Sequence, residues 1–230
     1  MGKTDYRLLL KCRLFWAVLT CLFIFVSCRS GPKRPEDMNP RERATEATSL
    51  VRAGKEAAER GDIDSALLKF ERALELTPDN PKARRDYAEL LYFKAQAYSY
   101  QSDEMWFRSL GKEFDEASRI WKQSGAVVPP EQKAELGKNA DEALNNAVLY
   151  FRKSLDQLEL LNTMVGGSDE DVICAMGFIH ALLFEFDQAK ACFEHVLESP
   201  VVKEEIKEKI RKAIEAIDEY QKEQRSSPER

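Results

Sequence analysis

The chain has 230 residues, with 35 Lys and Arg against 40 Asp and Glu, a net charge of −5, and only ten glycines and nine prolines. A third of its residues are charged and 43% are apolar. That composition excludes a collagen-like or low-complexity chain, and an acidic balance without a basic run excludes an ordinary nucleic-acid binder.

Residues 1–27 are expected to lie outside the fold, as a signal peptide. Lys3, Arg7, Lys11 and Arg13 precede an apolar run from Leu14 to Val26. That run is shorter than the ~20 apolar residues a helix needs to span a bilayer. It ends in Phe25-Val26-Ser27-Cys28, which resembles a bacterial lipobox, with Phe25 in place of the usual Leu. The resemblance implies that Cys28 is acylated, with palmitate among its labels, and becomes the mature N-terminus. An ordinary signal peptide or a short signal anchor is the alternative. Loss of residues 1–27 takes away four basic side chains and Asp5, so the net charge falls from −5 to −8. Attachment to a membrane would then depend on the lipid rather than on basic side chains.

Residues 28–39 are Pro-rich and charged and read as a tether. Asn39-Pro40 opens the first helix, with Asn39 as its cap and Glu42 completing a capping box. In residues 47–80, Leu50, Ala53, Gly54 and Ala57 are followed by Ala66, Phe70, Ala73 and Pro78. Gly54 and Ala66 let two antiparallel helices approach, Phe70 fills the hole beside them, Gly61-Asp62 makes the turn, and Pro78 closes the second helix. This order of large, small, aromatic and closing Pro, in about 34 residues, resembles a tetratricopeptide repeat (TPR). A second copy runs through Ile173, Met176, Gly177, Ala189, Phe193 and Pro200.

Between these copies the pattern degenerates. A helix capped by Asn80-Pro81 is expected over 81–101. Trp106, Leu110, Phe114, Ala117 and Trp121 form an apolar stripe that predicts one long helix over 103–125, ending before Pro129. Leu136, Ala140, Ala143, Ala147, Phe151, Leu155 and Leu158 predict another over 131–162. No strand is expected. An apolar-Asp-x-Ala group recurs at Ile63, Phe114, Ala140 and Phe186, where second repeat helices would begin, although its spacing is uneven. Gly166-Gly167-Ser168 breaks the chain, with Ser168 as the next cap. Residues 203–223 are amphipathic and would cap the array, and the tail from Arg225 (225–230) reads as disordered. Taken together, residues 40–224 predict an all-α domain, an irregular TPR-like α-solenoid of about eight helices with a C-terminal capping helix.

Of the five cysteines, Cys174 and Cys192 remain beyond Cys28, on consecutive helices and off their facing stripes, so two buried free thiols are expected. No catalytic constellation is evident: there is no nucleophile elbow, phosphate loop or His-Glu-x-x-His, and no cofactor or metal is implied. His180 stands where the repeat carries a core Tyr. Ser168-Asp169-Glu170-Asp171 lacks the alternating ligands and turn glycine of a calcium loop.

The TPR resemblance implies a non-catalytic binding surface on the outward side of each first helix. By spacing it comprises Val51 and Lys55, then Arg85, Glu89 and Tyr92, then Cys174, Phe178 and Leu182. Phe178 and Leu182 could instead pack on the helix at 131–162. Lys55 and Glu89 replace the asparagines of the carboxylate clamp found in chaperone-binding members. The expected role is an adaptor for a protein or peptide of the cell envelope, lipid-anchored on the periplasmic side of a bacterial membrane. The alternative is a ligand-handling accessory of a periplasmic transporter, which a cavity lined by Trp106, Trp121 and Tyr150 would favour.

Overall fold

A computed structural model describes residues 34–115, 120–125 and 127–226, and the expected signal peptide and Cys28 lie outside them. The chain divides into two compact units, Met1–Thr45 and Glu46–Arg230. The described part of the first holds a 3-10 turn over Pro35–Asp37, a buried Met38 and the opening of helix α1 (Pro40–Glu59). Asn39 and Glu42 cap α1 reciprocally: Glu42 N–H donates to Asn39 Oδ1 at 2.9 Å and Asn39 N–H to Glu42 Oε2 at 3.1 Å.

The second unit is built almost wholly of helices. After α1 come α2 (Ile63–Leu76), α3 (Pro81–Ser109), α4 (Pro130–Met164), α5 (Glu170–Leu182), α6 (Phe186–Glu198) and α7 (Glu204–Ser226). Seven α-helices are thus present among the described residues. Their core lies in three apolar clusters arranged in series. One joins Ala57 of α1, Phe70 of α2 and Leu91 of α3. The next joins Ala95 of α3, Phe151 and Leu158 of α4, and Ile179 of α5. The last joins Ile173 of α5, Phe193 of α6, and Ile210 and Ile217 of α7. Helices α3 and α5 therefore each lend two faces to successive clusters.

The α1/α2 and α5/α6 hairpins share one packing device. A Cβ added to Gly54 would lie 2.9 Å from the Phe70 ring, and one added to Gly177 would lie 2.7 Å from the Phe193 ring. Both rings and the alanines beside them, Ala66 and Ala189, are fully buried. Asp62 caps α2 by accepting from Ser65 N–H, and Gly61 turns the chain at φ +77°. Cys174 and Cys192 are free and half-buried, with burial pushing both thiols up.

The middle departs from the sequence expectation. α3 does not stop at residue 101, because no Gly or Pro interrupts residues 82–110, and it runs on to Ser109. The long helix expected over 103–125 does not exist: Gly111 takes the left-handed region (φ +70°) and ends α3. Two antiparallel strands follow, β1 (Lys112–Asp115) and β2 (Ile120–Gln123), in a region where no strand was expected. Phe114 pairs directly across from Trp121, and Trp121 stacks on Phe107 of α3 at 4.8 Å. Once the glycine has broken the helix, the same two aromatics meet as a cross-strand pair.

Smaller corrections follow from the same cause, local chemistry overriding periodicity. Pro129 is the cap residue at the start of α4 rather than the close of a repeat. Asp169, not Ser168, caps α5, its Oδ1 accepting from Val172 N–H at 3.1 Å, while Ser168 Oγ donates back to Val165 O. Of the four apolar-Asp-x-Ala groups, only those at Ile63 and Phe186 open helices. Phe114 lies in a strand and Ala140 inside α4. Arg225 and Ser226, expected in a disordered tail, belong to α7, and 227–230 lie outside the described residues.

α3 and α4 form the most extensive helix pair. Along α3 the buried small residues Ala88, Ala95 and Ser102 recur every seven residues, and along α4 so do Ala140, Ala147 and Ser154. Ser154 Oγ donates to Ala88 O at 2.7 Å, and Ser102 Oγ donates to Ala140 O at 2.8 Å. Seven residues forward on one helix thus match seven back on the other, placing Ala95 against Ala147 in a fixed antiparallel register. A seven-residue repeat of small side chains lets the two backbones approach along their whole seam.

Candidate functional site

A cleft of about 440 Å³ with an apolar floor opens between α3, α4 and α5. Its floor is Ala88, Leu158, Val172, Ala175 and Ile179, contributed by the small-residue face of α3 and the apolar faces of α4 and α5. Its walls are Arg85, Glu89 and Tyr92 of α3 and Asp171 and Phe178 of α5. Four of the residues expected on the binding face, Arg85, Glu89, Tyr92 and Phe178, therefore line one cleft. They come together because α3 and α5 flank α4.

Val51 and Lys55 lie elsewhere. Val51 lines a cleft of about 480 Å³ between α1 and the start of α3, together with Lys55 and Glu59. Lys55 and Glu59 also line a third cleft of about 460 Å³, with Phe70, Glu89, Leu90 and Phe93. Glu89 is shared by the third cleft and the first, and Lys55 and Glu59 by the third and the second. The three openings consequently adjoin, running from α1 across α3 to α5. Leu182 is 46% exposed and lines none of the three. Phe178 is exposed at its rim and packs edge-on against Phe193 of α6 at 5.0 Å.

Several wall residues are already engaged. Arg85 is ion-paired to Asp169, the cap of α5, so it braces α3 against α5 rather than standing free. Lys55 pairs with Asp86 at 2.8 Å. Tyr92 is half-buried against Phe151, its hydroxyl accepts from Gln96 Nε2 at 2.9 Å, and burial pushes its pKa up. The neighbouring Arg84 is buried, donating to Gln157 Oε1 at 2.6 Å and to Pro78 O at 2.7 Å, which fixes α3 to α4. By contrast Glu59, Glu89 and Asp171 are exposed and make no ion pair among the described residues.

Away from the clefts, His180 is buried with Nδ1 2.7 Å from Glu185 Oε2, and Arg152 of α4 pairs with the same carboxylate. Burial opposes ionisation of Glu185, but the Arg152 and His180 contacts outweigh it and hold its pKa below the usual carboxylate range. This cluster fastens the α5–α6 turn to α4. Lys94 sits 4.7 Å from the Tyr150 ring and pairs with Asp64. Tyr87 is pushed up to about 12, chiefly by burial, with Glu71 and Tyr150 adding to it. Trp106, Trp121 and Tyr150 line none of the three clefts described: Trp121 stacks on Phe107, Tyr150 on Tyr98, and Trp106 is exposed.

Sequence reasoning missed Asp169, Asp171, Glu59 and Phe93. The signal for the first two was only the acidic start of α5, since whether Arg85 faces it depends on how the helices dock. The signal for Glu59 and Phe93 was only their place one turn beyond Lys55 and Glu89. Among the described residues no group of three metal-ligating side chains occurs, and no helix is long and apolar enough to cross a membrane. No protein-family model matches the chain, and no curated protein matches it.

Proposed function

We propose that the chain is a non-catalytic TPR-like lipoprotein, held to a bacterial membrane through Cys28, that binds an extended segment of a cell-envelope protein. The observation that carries this reading is the continuity of the three clefts through Lys55, Glu59 and Glu89. An extended chain advances about 3.3 Å per residue and presents alternate side chains to one surface, so a row of shallow clefts suits it. The glycine–phenylalanine packing repeated in two hairpins and the serial core clusters support the solenoid reading. Anchoring by acylation of Cys28 and exposure to the periplasm rest on the lipobox resemblance.

A photo-crosslinking side chain at Phe93, on the cleft wall, tests the binding surface in intact cells. A discrete protein adduct is expected there and none from Leu68, which is 66% exposed on α2. Equal labelling from both positions would overturn the reading. Cys28→Ala is expected to abolish incorporation of labelled palmitate. A lipid-modified mature form of that variant would remove the anchor. The second reading, a transporter accessory handling a small ligand, draws on the α3–α4–α5 cleft alone, whose volume lies within the ~300–1,000 Å³ typical of small-molecule sites. It predicts no adduct at Phe93.

A further inference from the structure

Resting on the peptide-binding reading, we infer that the occupant of the α3 clefts is cationic: an extended segment carrying apolar side chains with Lys or Arg between them. Two adjoining clefts carry the argument, the one between α3, α4 and α5 and the one of about 460 Å³ lined by Phe70 of α2 and by α1 and α3. Their cations are already neutralised within the fold, Arg85 by Asp169 and Lys55 by Asp86. Their remaining charges are Glu59, Glu89 and Asp171, all exposed and all carboxylates.

The neighbouring acid of the α5 start is accounted for separately. Glu170 accepts from Ser199 Oγ at 2.8 Å, a contact that lowers its pKa, so it is tied to the end of α6. Asp171 lies in the first turn of α5, where the helix end contributes about half a positive charge, too little to cancel a full carboxylate. In the outermost cleft, Arg52 and Lys82 balance Glu56 and the shared Glu59, so the acidic excess of the two clefts around α3 rests on Glu89 and Asp171.

Position gives the spacing of the ligand. Glu89 belongs to both clefts and stands between their apolar walls, Leu158 and Phe178 on one side and Leu90 and Phe93 on the other. A cation at Glu89 therefore falls between two apolar side chains of the bound segment. The aromatic side chains of Tyr92 and Phe178 line the same cleft as Glu89 and Asp171, a composition that favours the same sign because a ring face attracts cations. An anionic segment would meet the carboxylates of Glu89 and Asp171 and no free cation in either of these two clefts.

Three fluorescein-labelled peptides with identical Phe and Leu positions test this, bearing Lys, Gln or Glu at the intervening positions. Anisotropy with the full chain in detergent is expected to rank them Lys, Gln, Glu in falling affinity. The Glu89→Gln, Asp171→Asn double variant is expected to weaken the Lys peptide about tenfold, as two exposed ion pairs would, and to leave the Gln peptide unchanged. The control pair Glu219→Gln, Glu223→Gln, on the exposed face of α7, is expected to leave all three unchanged. Equal weakening by the control would reduce the effect to net charge and overturn the assignment. Tight binding of the Glu peptide would overturn the cationic occupant while leaving peptide binding intact. Binding of none of the three would overturn both.

Discussion

The two glycine–phenylalanine hairpins and the α3–α4 pair solve the same problem, bringing helix backbones close, by different means. In α1/α2 and α5/α6 the approach is made at one point, where a missing Cβ admits a ring that nothing else could accommodate. In α3/α4 it is spread along a seam of alanines and serines, and two serine hydroxyls bond the facing helix. A point contact concentrates its free energy in one aromatic, whereas a seam distributes it over many small side chains.

Four substitutions bear on this difference. The largest loss is expected from Phe70→Ala or Phe193→Ala, about 3–5 kcal/mol each, because a fully buried ring leaves a cavity. Chemical unfolding that gives a far smaller loss at one site would show that the hairpins are not built alike. Along the seam, Ala147→Leu is expected to cost about 1–3 kcal/mol, since the extra atoms would meet Ala95 across a filled interface. Tolerance there would mean that α3 and α4 are less closely seated than the serine bonds indicate. Ser154→Ala should cost least, about 0.5–1.5 kcal/mol, because Ala88 O retains its own helical bond when the hydroxyl is lost. A loss as large as that of Phe70 would make the seam as concentrated as the hairpins.

The same difference governs what could be read from the sequence. Gly54, Ala66 and Phe70 lie within one local window, so their packing is visible without knowing any partner. The seam becomes visible only when Ala88, Ala95 and Ser102 are matched with Ala140, Ala147 and Ser154, some fifty residues away. Ser102 looks like a helix break in isolation because it follows a polar stretch, yet it is buried. The hairpin of strands was hidden for another reason: Phe114 and Trp121 fit a helical stripe as well as a strand pair, and only the backbone of Gly111 decides between them.

At the candidate site, helix-face spacing puts Arg85, Glu89 and Tyr92 on one side, and all three line one cleft because they belong to one helix. It could not show that Arg85 is spent on Asp169, since that pairing depends on how α5 docks against α3. Nor could it place Leu182 relative to the clefts, which end before the last turn of α5. Charge availability, unlike face membership, is a tertiary property.

Asp169 joins these threads in a way that concerns linkage. One of its carboxylate oxygens holds the first turn of α5 and the other holds Arg85 on the cleft wall. Fraying of that turn and loosening of the wall therefore share a single opening equilibrium. A ligand seated in the cleft is therefore expected to slow amide hydrogen exchange at Val172, and by thermodynamic reciprocity whatever steadies the start of α5 should tighten that ligand by the same factor.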